Sequence, residues 1–297
     1  MQEFQADLMH NMLSLHHDLV SQTYCHGGYQ HFRISDPKPR DIHKACVRDR
    51  LLHHAIYRIL YSYFDARFIS DSYSCRTGKG THCAMNRFRS YTRKVSKNHI
   101  RTCWVLKCDI RKFFASIDHG ELFKVLERQV ADQNILWLLR QVVGSFHSTA
   151  PGKGLPLGNL TSQLLVNIYM NEFDQWIKHK LREKYYIRYA DDFVFLSSDK
   201  KELERLLPRI ASKLEELKLQ LHPDKVFIKT FASGVDFLGW VHFPNHRVLR
   251  TASKRRMLRR LCESAGQEGE GAAQQSYLGL LLHGNTQKLR AGVLLRP

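Results

Sequence analysis

The chain has 297 residues, 43% apolar and 25% charged, an ordinary balance for a globular protein with one large core or two to three subdomains. No stretch offers an 18-residue apolar span, and the first thirty residues hold His10, His16, His17, Asp18 and His26 rather than an apolar run. Neither a membrane-crossing helix nor a signal peptide is expected.

The 46 Lys and Arg against 28 Asp and Glu leave a net charge of +18, which asks for a polyanionic partner. Charge alone does not choose between nucleic acid and an anionic surface. The interleaving of aromatic and basic residues in Tyr57-Arg58, Arg87-Phe88-Arg89 and Tyr91-Thr92-Arg93 suits stacking combined with phosphate contact. Seven cysteines, an odd number without a CxxC pair, disfavour zinc ribbons and disulfide frameworks; free thiols in a cytosol-like compartment are expected.

Taken in chain order, Arg48 to Leu60 places Leu51, Leu52, Ala55, Ile56, Ile59 and Leu60 on one broad helical face. Trp104 to Cys108 reads as a strand. Asp118 followed by Glu121 forms a capping-box-like start for a helix over Leu122 to Gln129. Thr161 to Leu181 carries a helical stripe of Leu164, Leu165, Ile168, Tyr169, Trp176 and Ile177. Tyr185 to Tyr189 and Phe193 to Leu196 are two apolar runs around Ala190-Asp191-Asp192, a hairpin with acids at its tip. Lys201 to Leu217 predicts a helix that Pro208 bends. Val235 to Val241 predicts one more strand, Ser264 to Gln275 a loop, and Ser276 to Leu289 a return to helical spacing. Helices mixed with a few partly antiparallel strands indicate an α+β fold.

Adjacent aspartates repel each other, and most such pairs are simply solvated. Here the hydrophobic flanks hold Asp191 and Asp192 in place, and Asp109 ends the strand from Trp104. An acid at a strand end beside a hairpin bearing two more makes an oxygen-rich site suited to Mg²⁺. Two such ions would activate a 3′-hydroxyl and neutralise a leaving pyrophosphate.

Tyr189-Ala190-Asp191-Asp192 resembles the YxDD box of reverse transcriptases, and other blocks follow in that family's order. Arg40-Asp41-Ile42-His43 with Val47-Arg48-Asp49-Arg50 resembles the first fingers block of bacterial retroelement enzymes. Ser72 to Gly80 resembles the second, and Asp109 to Asp118 the first palm block. Gly154 to Gln163 resembles the LPxG block. Leu221-His222-Pro223-Asp224-Lys225 and Phe237-Leu238-Gly239-Trp240 resemble the closing pair, so the likeness covers roughly residues 35 to 260.

The resemblance implies a right hand. The N-terminal region and fingers would span residues 1–102. The palm would span 103–240, with a segment near 143–160 lent to the fingers, and the thumb 241–297. It implies metal binding by Asp109, Asp191 and Asp192 with the carbonyl of Ile110, and Phe114 as a steric gate against ribose, unless that ring is a core aromatic beside Phe113. Arg76 and Lys79 would grip the triphosphate. Leu157, Gly158 and Gln163 would face the incoming base pair. Lys225 would give a proton to pyrophosphate, with Lys229 competing. Phe237, Leu238, Gly239 and Trp240 would grip the primer. Arg87, Arg89, Arg93, Lys94 and Lys97 would form a template surface, and Arg255, Arg256 and Arg259 would hold the duplex on the thumb.

Leu157 and Gln163 stand where most relatives have glutamine and proline. Leu157-Gly158-Asn159-Leu160-Thr161-Ser162-Gln163 resembles the enzymes of diversity-generating retroelements. That subtype implies copying of a template-repeat RNA into cDNA with adenine-directed errors, and dNTPs as substrates. It also implies a small accessory protein oligomer as partner and a bacterial or phage-encoded enzyme in the cytoplasm. A free-standing polymerase without maturase or endonuclease segment is expected. Another bacterial reverse transcriptase lineage, or a non-catalytic RNA-binding protein on the same fold, stays open as an alternative.

Overall fold

The computed structural model describes residues 2–35 and 39–294; Met1 and residues 295–297, at the ends of the expected subdomains, lie outside them. Helices α1 (Gln2–Ala6) and α2 (Leu8–Val20) lead to an antiparallel hairpin of β1 (Tyr29–Ile34) and β2 (Arg40–Ala45). Next come α3 (Val47–Asp65), α4 (Thr81–Val95), β3 (Trp104–Asp109) and the single turn α5 (Phe113–Ser116). Three helices follow, α6 (His119–Glu127), α7 (Gln133–Gly144) and α8 (Leu160–Gln175). Then come β4 (Tyr186–Tyr189), β5 (Asp192–Ser197), α9 (Lys200–Glu216) and β6 (Phe227–Thr230). Strands β7 (Val235–Phe237), β8 (Trp240–His242) and β9 (Arg247–Leu249) precede α10 (Thr251–Glu263), α11 (Glu270–Leu281) and α12 (Gln287–Leu294).

The central sheet has the order β4-β5-β3-β6, every neighbouring pair antiparallel. Because successive side chains on a strand point to opposite faces, each strand feeds two cores. Phe193 and Phe195 of β5, Leu106 and Cys108 of β3 and Tyr186 of β4 enter a large cluster with α3, α6, α7, α8 and α9. Val194, Leu196, Val105 and Ile187 enter a second cluster with Phe88 and Tyr91 of α4 and Val235 and Phe237 of β7. With both faces covered, the strands read as continuous apolar runs. A third cluster joins Met85 and Trp240 to Leu249, Met257, Leu261, Leu281 and Val293.

The capping reading holds: Asp118 accepts from the backbone N–H of Glu121 at 3.0 Å, starting α6. Helix α9 buries Leu203, Leu206, Ile210 and Leu214, and Pro208 lies on its exposed side without ending it. Other expectations need correction. In α3, Leu51 and Ile59 are 38% and 62% exposed, so the buried face is the narrower row Leu52, Ile56, Leu60 and Phe64. The helix expected to run to Leu181 ends at Gln175 and continues as one π-turn, Trp176–Lys180. The strand expected over Val235 to Val241 is two strands, because Leu238 and Gly239 both take positive φ (53° and 86°) and turn the chain back. The expected loop over Ser264 to Gln275 is shorter, since α11 begins at Glu270.

Candidate active site

The register of the central sheet sets Asp109, the last residue of β3, opposite Asp192, the first of β5. Tyr189 pairs with Asp192 across the β4–β5 hairpin, so Ala190 and Asp191 form its two-residue turn. Ala190 adopts φ +55°, a left-handed conformation disfavoured for a residue with a Cβ. What holds it there is Arg188, fully buried, whose Nη1 donates to the Ala190 carbonyl at 3.1 Å. The amide of Ile110 donates to the Asp191 carbonyl at 3.1 Å, and that of His222 to the Asp109 carbonyl at 2.7 Å. The turn, the end of β3 and the segment before β6 are thereby tied together.

The electrostatics are those of an anionic site in want of a cation. Burial, and then the charge of Asp109, raise the Asp191 carboxyl above its ordinary value. Burial pushes Asp192 up to about 7, opposed by Lys107, whose Nζ lies 3.2 Å from Oδ2. The other oxygen, Oδ1 of Asp192, is buried without a hydrogen-bond partner, an arrangement that is costly unless something else binds it. Lys225 sets Nζ 2.6 Å from Oδ1 of Asp109. Lys229, its rival in the sequence reading, is exposed with its ammonium over the Phe227 ring.

A divalent cation fits these residues: Asp109, Asp191 and the carbonyl of Ile110 supply hard oxygens, and Asp192 an orphaned one. Among the described residues no three acid, His or Cys side chains form a finished metal cage. Asp192 leans toward Lys107 through Oδ2, which leaves Oδ1 as the oxygen it would offer in support. A cation that shares its coordination with substrate phosphates needs only one or two protein carboxylates.

A groove of about 740 Å³ opens beside the acids. Arg40, Lys107 and Asp192 line it on one side; Leu238, Gly239 and Arg250 lie on another, and Arg255, Arg256 and Arg259 of α10 form a cationic wall. In the sequence Arg40 is marked only by its place in the first fingers block, yet its charge reaches Asp191 and lowers that carboxyl against the effect of burial. Lys107 was also missed. The readable signal was its place two residues before Asp109, on the same face of β3.

Several expected site residues are placed otherwise. Arg76 is 6% exposed along its side chain and bonded to Asp65 Oδ1 at 2.6 Å and to the carbonyls of Asp65, Ile69 and Ser72. A guanidinium so enclosed braces the α3–α4 connection and is not presented to a triphosphate. Lys79 donates to the Ser70 carbonyl at 2.8 Å. Phe237 and Trp240 are buried, so only the turn residues Leu238 and Gly239 of that motif reach the groove. Arg87 turns inward to Asp71 at 3.1 Å, apart from Arg89, Arg93, Lys94 and Lys97, which are exposed.

Phe114 is half-buried, edge-on to Phe113 at 5.7 Å between ring centres, and its carbonyl accepts from the Leu155 amide at 2.8 Å. The LPxG-like block is thereby pinned to α5, the turn that follows β3. Its Leu157 carbonyl accepts from the amide of His43 in β2 at 3.0 Å. Gly158 has φ +106°, and a Cβ there would lie 2.7 Å from Ile42, so only glycine lets β2 approach this closely. Gln163, half-buried, lies in the first turn of α8.

Paired acids at adjacent strand ends, under a groove walled by arginines, are arranged as in the right-hand polymerase fold. Residues 35–242 match the family model described as reverse transcriptase (RNA-dependent DNA polymerase), and the chain belongs to that family. It is 27% identical over 258 residues to Protein YkfC of Escherichia coli, covering 74% of this chain and 66% of that protein. It is 24% identical over 187 residues to the group II intron-encoded protein LtrA of Lactococcus lactis, covering 61% of this chain and 29% of that one. The chain thus spans just under two thirds of the first relative's length and less than a third of the second's. Among solved structures, apo telomerase from Candida tropicalis truncated from its C-terminal domain superposes with a TM-score of 0.59 at 11% identity, over 82% of this chain and 60% of that one. Telomerase from Candida albicans with a fragment of telomeric RNA gives 0.57 at 12% identity, over 87% and 54%. These two likenesses concern the fold.

Proposed function

We propose that this chain is an RNA-directed DNA polymerase and, within the family, the mutagenic enzyme of a diversity-generating retroelement. The observation that carries the first part is the register of Asp109 against Asp192, with Asp191 on the strained turn beside them. Reverse transcriptases use divalent metal ions; here two Mg²⁺ would sit on Asp109, Asp191 and the Ile110 carbonyl, supported by Asp192. When bound they would lower the pKa of the attacking hydroxyl and offset charge on the leaving phosphate. The protein's own part is geometry and charge. Arg188 fixes the turn, Lys107 restrains Asp192, and the charge of Arg40 acts on Asp191. Lys225, an ammonium at the acids, can give a proton to the departing pyrophosphate once phosphates displace it from Asp109. Phe114 would serve as the steric gate, its ring meeting a ribose 2′-hydroxyl. The arginines of α10 would hold the duplex backbone.

Leu157 supports the subtype. A leucine cannot donate the hydrogen bonds that a glutamine amide would give near the nascent base pair, and looser contact lowers discrimination between bases. Template-repeat RNA, dNTPs and a small accessory protein oligomer are the partners that this reading implies. A second reading, an intron-lineage enzyme, is favoured by the likeness to the group II intron-encoded protein. Sequencing cDNA made on a defined RNA, with and without a candidate accessory protein and beside Asp191→Asn, separates the two. Substitutions concentrated opposite template adenines, reduced in Leu157→Gln, support the retroelement reading. Evenly spread errors unchanged by Leu157→Gln overturn it in favour of the intron lineage.

A further inference from the structure

We propose that a second cleft, between α4, the β8–β9 hairpin and the α11–α12 loop, binds single-stranded nucleic acid outside the catalytic groove; the proposal rests on the polymerase reading for the identity of its ligand. The cleft measures about 420 Å³ and shares no lining residue with the groove at the acids. Among the described residues no Asp or Glu lines it. Its cations are Arg89 and Arg247, its amides Asn245 and Asn285, and its rings include His246 and His283.

Three features point to a phosphate-and-base ligand. The first is an unmet donor. Arg247 is held by the His283 carbonyl through Nε, but its Nη1 is buried with no partner. Burial, and then the charge of Arg89, hold this guanidinium below its ordinary value, so an anion placed between the two arginines would relieve both effects. The second is a set of flat surfaces. His246 stacks on Phe243 with centroids 4.9 Å apart and planes 14° apart, and His283 stacks on His82 at 3.6 Å and 27°. Preformed ring pairs beside cations are platforms on which any base can stack.

The third feature is continuity. Arg89 also lines a neighbouring depression of about 590 Å³ along α4 with Arg93, Lys94 and Lys97, again with no acid among the described residues. This row leads away from the chemistry. The hydroxyl of Thr81, at the start of α4, donates to Tyr189 Oη at 3.2 Å, beside the catalytic turn. At about 1.5 Å rise per residue, Arg89 lies roughly 12 Å and Arg93 roughly 18 Å further along the helix axis. A strand seated here tracks along α4 at a distance from the bond being made, so the surface suits an unpaired segment of the RNA or a displaced DNA strand.

The test uses the full chain saturated with an unlabelled blunt RNA–DNA hybrid, onto which labelled oligonucleotides of about twelve nucleotides are titrated by fluorescence anisotropy, oligo-U in one arm and oligo-dT in the other. The variants are Asn245→Asp combined with Asn285→Asp, which places two carboxylates in the cleft, and separately His246→Ala, which removes a platform. All three side chains are exposed, so folding is preserved. The expected result is oligonucleotide affinity weaker by about tenfold or more in the acidic pair and by roughly threefold in His246→Ala, with hybrid affinity unchanged. Weakening of oligo-U alone assigns the cleft to RNA, of oligo-dT alone to DNA, and of both to either strand. Affinities within about twofold of wild type in both arms overturn the proposal. A chain that binds the oligonucleotides but extends no primer would indict the polymerase reading instead.

Discussion

Arg188 donates through Nη1 to the carbonyl oxygen of Ala190 at 3.1 Å while its Nε and Nη2 grip the carboxylate of Asp174 at 2.7 to 3.0 Å. Nη2 also reaches Ser72 Oγ at 3.1 Å, and Nη1 reaches Asn167 Oδ1 at 3.2 Å. Both partners of the ion pair are fully buried. One planar group therefore links α8, the segment before α4 and the strained residue next to Asp191. A lysine keeps the charge but cannot make the fork. Arg188→Lys is expected to destabilise the fold by about 3 kcal/mol, since breaking a buried pair leaves groups unsatisfied. It should also lower kcat at temperatures where the variant is fully folded. Full kcat in a folded variant would show that the turn holds itself.

Asp191→Asn removes a hard ligand and a like charge at once. We expect product formation to fall about a thousandfold, the loss of roughly 4 kcal/mol of transition-state stabilisation. Thermal stability should hold or rise, because the burial penalty and the repulsion from Asp109 both disappear. Primer extension and a melting curve on the same preparation check both halves.

Phe114→Ala tests the ring beside the LPxG-like block. Preference for deoxyribonucleotides over ribonucleotides should drop by at least about tenfold, about 1.4 kcal/mol, with dNTP incorporation kept. If incorporation of both collapses together, the ring is a packing element.

His242 is buried and its imidazole is held down at about 4 by burial, although Nε2 lies 3.2 Å from the Phe237 carbonyl. The unfolded chain takes up that proton near 6.5, so the unfolded state binds more protons between about pH 6.5 and 4, and stability falls as pH falls through that window. His53, also held at about 4, acts in the same direction. Asp192, raised to about 7, opposes them, gaining stability as pH falls. His242→Gln keeps an amide donor and deletes one titration. Its stability should fall less steeply than wild type across the window, by a total on the order of 3 kcal/mol. Parallel curves from chemical denaturation would count against this.

The acids were legible because a hairpin tip and a strand end are local patterns, although strands apolar on both faces carry no alternation that would fix the register joining them. The hairpin of β1 and β2 was not legible. Tyr29–Ile34 and Arg40–Ala45 are largely exposed on both faces, so no alternation marks them, and with them went the place of Arg40. Arg76 misled for another reason. An arginine beside glycines looks the same whether it faces a phosphate or Asp65, and only tertiary packing tells the two apart. The turn at Leu238 was hidden because a leucine at φ +53° carries no turn signal of its own.

The seat of Trp240 bears on how the hand can move. This ring is buried in the cluster that includes Leu249, Met257 and Leu281, while Leu238, two residues earlier, packs against that cluster and the one under the central sheet. A side chain at Gly284 would run into the Trp240 ring, so the α11–α12 loop closes directly over it. The C-terminal helices are therefore not a free arm on a hinge. Any swing that widens the groove must carry the β7–β8 turn with it or draw an indole out of its socket, at about 25 cal/mol for every Å² uncovered. Strand translocation and primer placement would then be strokes of one mechanical unit.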